Sequence, residues 1–185
     1  NVDHLFDPER KTAIHQWHVD NGAEFEDVGQ WKRPHYFPQK NENIHDAVNR
    51  ECRAVRNSLG ILDASTLGKI DLQGPDVAKF LNLIYTNAWS KLEVGSCRYG
   101  LMCNEHGMVF DDGVTTRISE NRYHMTTTTG GAARVMSWLE EFLQTEWLDM
   151  EVFCTSVTEQ WTVLSISGPN SREFLSSLTD IDISK

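Results

Sequence analysis

No run of about 18 apolar residues occurs in the 185-residue sequence, so no membrane-spanning helix is expected. Positive charge is scarce. Seventeen lysines and arginines stand against 27 aspartates and glutamates, a formal net charge of −10. Such a chain repels the phosphate backbone of nucleic acids and the anionic surface of membranes, which argues against both as partners. The four cysteines, at 52, 97, 103 and 154, form no Cys-x-x-Cys pair, which excludes a zinc ribbon and a thioredoxin-type motif. They read as reduced thiols of a cytoplasmic protein. No phosphate loop, dinucleotide glycine motif or nucleophile elbow is present; Asn57-Ser58-Leu59-Gly60 and Leu67-Gly68-Lys69 hold too few glycines. The opening residues carry neither a basic run nor an apolar segment nor an initiating Met, and the chain stops soon after a helix-like stretch, so it reads as a piece of a longer one.

What is present suffices for a core: 39% of residues are hydrophobic and 24% charged. A first helix is expected after Asp7 and Pro8, with Ala13, Ile14 and Trp17 as its apolar stripe. The aromatic, proline-containing stretch 29–38 reads as an ordered loop. A second helix carries Ile44, Ala47, Val48, Val55 and Leu59 on one face, with Gly60 as its stop. Further on, strand-like runs at 97–103, 108–116 and 122–129 are joined by hairpin-length connections. Gly74-Pro75-Asp76-Val77-Ala78-Lys79-Phe80-Leu81 is echoed by Gly168-Pro169-Asn170-Ser171-Arg172-Glu173-Phe174-Leu175. Each follows a strand and opens a helix, with proline suited to the first helical position. Together these predict an α+β fold, an antiparallel sheet with helices in a ferredoxin-like split βαβ arrangement. The expected division is an N-terminal helix and loop over 1–40 and an α+β domain over 41–185.

Chemistry concentrates at Asp111-Asp112. Strict strand alternation puts Asp112 on one face with Met108, Phe110 and Val114, the more apolar side. A carboxylate there requires compensation, which moves Asp112 rather than Asp111 towards function. Thr126-Thr127-Thr128-Thr129 offers hydroxyls to a polar pocket, and Gly130-Gly131 would let a ligand or backbone come close. Tyr99 can stack on a flat ligand, although burial in the core is the ordinary fate of such a residue. His15 and His18 lie three apart on the first helix, but no third ligand is near; a solvated face is expected and no metal site.

Several motifs carry a family resemblance. They are Gly29-x-Trp31-x-x-Pro34-x-Tyr36, Ala54-Val55-Arg56-x-x-x-Gly60, Asp63-x-Ser65-x-x-Gly68, Gly74-Pro75, Met102-Cys103-Asn104-Glu105 and Asp111-Asp112. In order and spacing the chain resembles the aminomethyltransferase (glycine-cleavage T-protein) superfamily. Within it, Ser65 to Ile70, Cys97 to Met102, Met108-x-x-Asp111-Asp112-Gly113-Val114, Thr126 to Gly130 and Thr155 to Trp161 are most similar to the folate-binding region of the alpha subunit of heterotetrameric sarcosine oxidase.

The resemblance implies a tetrahydrofolate site in about the first half of a three-part folate-binding unit. Asp112 falls on the family's catalytic aspartate and Tyr99 on a wall of the pterin pocket. Leu67 stands where aminomethyltransferases usually carry methionine, Thr128 where they often carry a folate-contacting asparagine, and Thr66 replaces a histidine. These departures fit the sarcosine-oxidase branch. The implied activity is that of an oxidoreductase coupled to one-carbon transfer. A flavin site elsewhere oxidises the N-methyl group of sarcosine, and tetrahydrofolate captures the carbon as methylenetetrahydrofolate. Flavin and NAD belong on absent regions or other subunits, and the partners are those subunits and the rest of the same chain. The fragment alone is expected to be inactive. The alternatives are glycine-cleavage aminomethyl transfer and a catalytically silent folate-binding or assembly module.

Overall fold

The computed structural model describes residues 9–184. The chain forms two compact units. One joins the described residues up to Thr66 to those from Thr162 onward, and the other is Leu67–Trp161. The first unit is discontinuous in sequence because a strand before Thr66 pairs with one after Thr162.

In the first unit α1 (His15–Asp20) is a short helix. Asp7 and Pro8 lie outside the described residues. The expected stripe is corrected: Trp17 is 58% exposed, and His18 is the buried residue. Its Nε2 lies 2.9 Å from Asp63 Oδ2, so the expected solvated histidine is a core residue matched to a carboxylate. β1 (Glu24–Val28) and β2 (Trp31–Tyr36) form an antiparallel hairpin. Its two-residue connection begins with Gly29 at φ +59°, a conformation that favours glycine. Much of the expected ordered loop is thus strand. Pro34 is tolerated because a two-stranded sheet has only edges. α2 (Ile44–Asn57) is capped by Asn43, whose side chain accepts from the His45 and Asp46 amides. Gly60 does not stop this helix; it opens β3 (Gly60–Asp63).

The second unit runs β4 (Gly68–Gln73), α3 (Val77–Ile84), a 3-10 turn at Trp89–Lys91, β5 (Cys97–Cys103), β6 (Val109–Ser119), β7 (Arg122–Thr127), α4 (Ala132–Thr145) and β8 (Phe153–Ser156). The strands make one antiparallel sheet in the order β5-β6-β7-β4-β8. The row β8-β4-β7-β6, with α3 and α4 as crossovers, is the expected split βαβ pattern, and β5 is an added edge strand. Ile70 and Leu72 of β4, Tyr123 and Met125 of β7 and Met102 of β5 pack with Phe80, Leu81, Val135 and Leu139 of the two helices. These residues are almost fully buried, each aliphatic or aromatic side chain contributing about 1.5–3 kcal/mol.

β9 (Leu164–Ser167) and α5 (Ser171–Ser176) complete the first unit, β9 pairing antiparallel with β3. Both Gly-Pro turns share one geometry. Gly74 has φ +140° and Gly168 φ +127°. A Cβ at either would collide with a backbone carbonyl, that of Glu151 or of Ser58. The prolines precede the helices by two residues instead of opening them, since Asp76 and Asn170 hold the N-cap positions.

Candidate functional site

The site is built around an irregularity in the β5–β6 ladder. Pairing runs Tyr99↔Val114, Leu101↔Asp112, Met102↔Asp111 and then skips to Cys103↔Val109. Phe110 is the extra residue of a β-bulge, which breaks strict alternation. Its ring packs on Trp138 of α4 at 4.6 Å between centroids, on the helix side of the sheet. Met108 is 66% exposed. Of the apolar neighbours expected around Asp112, Met108 and Phe110 are therefore absent and only Val114 remains on its face, and the face assignment is corrected. Asp111, 5% exposed, is the carboxylate turned inward with Met102, whereas Asp112 is half-buried on the opposite face of the sheet.

Tyr99 reaches Asp112 from the neighbouring strand, its hydroxyl donating to Oδ2 at 2.9 Å. It is 56% exposed, so the ring is a surface feature and not a core residue. The Asp112 carboxylate beside it raises the Tyr99 pKa above its ordinary value, which keeps the phenolic proton in place as a donor. Leu67, half-buried, stands immediately before β4. Since Gly68 pairs with Thr127, Leu67 lies next to Thr128 across the β4–β7 ladder. Thr128 is tied to the β6 strand through Asp111. Asp112, Thr128 and Leu67 thus lie near one end of three adjacent strands, β6, β7 and β4, and Tyr99 reaches Asp112 from within β5 of the same unit.

The threonine run does not present a row of free hydroxyls. Thr126 Oγ1 accepts from Val114 N–H at 2.9 Å and donates to Val114 O at 3.2 Å. The Thr127 hydroxyl donates to the Thr128 carbonyl at 3.0 Å, and that of Thr128 donates to Asp111 Oδ2 at 2.8 Å. The space left by Gly131 is filled by the Asp111 carboxylate, so the close approach expected at the glycine pair is made by a side chain. Asp111 is the functional candidate that alternation alone misplaced; the glycine pair four residues beyond the start of the threonine run was its signal.

A second polar set was missed altogether. Asp71 of β4 pairs in register with His124 of β7, and Arg122 donates to both Asp71 oxygens at 3.0 and 3.2 Å. Burial raises the Asp71 pKa, but hydrogen bonds from Arg122 and Gln73 outweigh that and leave it below its usual value. Burial lowers the His124 pKa, and its ring lies edge-on to Trp161. All four cysteines are free, and burial pushes the Cys154 thiol up to about 12. Among the described residues no three His, Cys, Asp or Glu side chains could hold a metal, and no helix is long and apolar enough to cross a membrane.

The GCVT N-terminal domain family matches residues 14–185, nearly the whole chain. The chain belongs to that family. It is 59% identical over 181 residues to the sarcosine oxidase subunit alpha of Corynebacterium sp. (strain U-96), covering 97% of this chain and 19% of that protein. To the corresponding subunit of Rhizobium meliloti (strain 1021) it is 46% identical over 182 residues, 98% of this chain and 18% of the relative. An aminomethyltransferase of Staphylococcus haemolyticus is 31% identical over 176 residues, 95% and 45% of the two chains. The fold matches the crystal structure of the glycine cleavage system aminomethyltransferase T from Bartonella henselae with a TM-score of 0.79 at 23% identity, over 91% of this chain and 43% of that one. The chain therefore spans about a fifth of the sarcosine oxidase subunits it resembles.

Proposed function

We propose that this family member is the tetrahydrofolate-dependent one-carbon transfer region of a sarcosine oxidase alpha subunit. The observation that carries the reading is the Tyr99–Asp112 pair, an exposed aromatic ring whose hydroxyl holds one oxygen of a half-buried carboxylate at 2.9 Å. The accepting carboxylate beside an exposed ring suits a flat heterocycle that offers N–H groups; a phosphate beside Asp112 would be repelled. Identity of 59% to a sarcosine oxidase subunit, against 31% to an aminomethyltransferase, favours the oxidase branch.

Tetrahydrofolate supplies the nitrogen nucleophile that receives the one-carbon unit. Asp112 stabilises positive charge at the incoming iminium carbon and accepts a proton at a carboxylate oxygen. Tyr99 orients that carboxylate by holding Oδ2 and offers its ring for stacking. Leu67 contributes apolar cover, and Thr128 closes the polar end. The flavin site, the remaining folate contacts and the other subunits lie on parts of the assembly beyond this chain.

The test is made in the full-length protein that carries this chain. Asp112→Asn should lower folate-coupled turnover by about 10²–10⁴-fold. Reduction of the flavin by sarcosine should continue at an unchanged rate. Unchanged coupled turnover, or a parallel loss of flavin reduction, would refute the assignment.

A further inference from the structure

The β6–β7 ladder ends earlier than the strands do. Its register runs from Ser119↔Arg122 to Thr115↔Met125. Beyond Thr115 the connection passes to side chains. The Thr126 hydroxyl bridges to Val114, and Asp111 makes the last link. Asp111 Oδ1 accepts the Asp112 N–H at 2.8 Å and the Thr128 N–H at 2.9 Å, while Oδ2 accepts the Thr128 hydroxyl at 2.8 Å. One buried carboxylate thereby binds the main chain of two candidate folate contacts.

The adjoining glycine is shaped to this seat. Gly131 has φ −85° and ψ −15°, a backbone any residue adopts, so its conformation does not call for glycine. Space does. A Cβ at 131 would overlap Asp111 Oδ2 and crowd Thr128 Oγ1 at 2.6 Å, whereas a Cβ on neighbouring Gly130 would meet nothing within 4 Å. The carboxylate could move aside only by giving up its three hydrogen bonds.

We infer that Asp111 is a positioning residue of the folate site, a clasp that fixes the backbones of Asp112 and Thr128 against each other, and that Gly131 lacks a side chain in order to seat it. The inference rests on the folate reading above. Tyr99 holds the Asp112 carboxylate from one side and Asp111 holds its main chain from the other. With the second restraint gone, the segment carrying the reactive oxygen is held only by its pairing with β5, and displacements of about 1 Å suffice to impair a positioned group.

The experiment uses the full-length protein with Asp111→Ala, Asp111→Asn, Gly131→Ala, the Asp111→Ala/Gly131→Ala double variant and Gly130→Ala. Tetrahydrofolate affinity is measured by titration calorimetry, and exchange of the Asp112 and Thr128 amides by hydrogen–deuterium mass spectrometry. Asp111→Ala and Gly131→Ala should each raise Kd about tenfold, equivalent to about 1.4 kcal/mol. Asn keeps an acceptor at Oδ1 and should recover most of the affinity. The double variant should bind no worse than the weaker single, because both changes empty the same seat. Gly130→Ala should match the parent. Wild-type Kd in Gly131→Ala, or losses that simply add in the double variant, would overturn the clasp. If Asp111→Ala fails to fold, Gly131→Ala, which keeps every hydrogen-bonding group, decides alone. If the parent does not bind tetrahydrofolate, the functional reading falls, and the clasp is judged by exchange: both amides should exchange about tenfold faster in Gly131→Ala. Unchanged exchange would overturn it.

Discussion

Gly113→Ala isolates the contact between the two strands that carry the site. Gly113 lies between Asp112 and Val114, and a Cβ there would collide with the backbone carbonyl of Thr126 across the β6–β7 junction. A main-chain atom cannot swing away as a side-chain tip can, so the strands must part locally. The first bonds at risk are the two between Val114 and the Thr126 hydroxyl. At about 0.5–1.5 kcal/mol each, their loss destabilises the unit by about 1–3 kcal/mol. For a unit of about 95 residues that is a fall in melting temperature of roughly 4–24 °C. The assay is thermal unfolding followed by circular dichroism, with Gly130→Ala as the unhindered control. A Gly113→Ala melting curve superimposable on the control would mean that β6 and β7 are not as closely apposed as described, and the reasoning about Asp111 would lose its footing.

Three further outcomes follow from the same geometry. Tyr99→Phe keeps the ring and removes the donor to Asp112, so coupled turnover should fall about three- to tenfold, and Tyr99→Ala should fall further; equal losses in the two would show that only the ring matters. Burial pushes the Asp63 carboxyl up, but hydrogen bonds from Ser65 and His18 prevail and hold it below the usual range. Its stabilising contribution is thus present above the unfolded value of about 3.9 and lost as pH falls through the lower folded value. Asp63→Asn should flatten the acid limb of melting temperature against pH below about pH 4, and an unchanged limb would contradict this. Leu139→Ala, at a fully buried position of α4, should lower stability by about 2–5 kcal/mol in urea unfolding; a loss under 1 kcal/mol would show that α4 is loosely packed.

The five-stranded sheet was legible because its signals are local. Hairpin-length connections and short-period alternation mark β5, β6 and β7, and a positive-φ glycine before proline marks the entry to α3. Asp112 was singled out by alternation and then, like Tyr99, by family motifs, and the structure joins the two directly. The face of Asp112 was misread because a bulge at Phe110 changes the parity of β6, and no residue between 108 and 112 announces an inserted position. His18 was misread for a different reason. Its partner Asp63 is 45 residues away, and helical spacing says nothing about contacts at that distance. The strand pairing that joins the two ends of the first unit is equally invisible to local composition.

That pairing also imposes an order on folding. Asp63 faces Leu164, so β3 must wait for a partner made roughly a hundred residues later. Closing so long a loop in an unfolded chain costs about 4 kcal/mol in entropy. The intervening unit has short-range hairpins and can collapse first, shortening the effective loop. During synthesis at about 5–20 residues per second, β3 stands unpaired for roughly 5–20 seconds. Ile61 and Leu62, which remain exposed even after β9 arrives, are then bare on a solitary strand. The nascent chain thus presents a sticky edge at the moment when its candidate folate-binding sheet is already taking shape, and this interval is where chaperone protection would matter most.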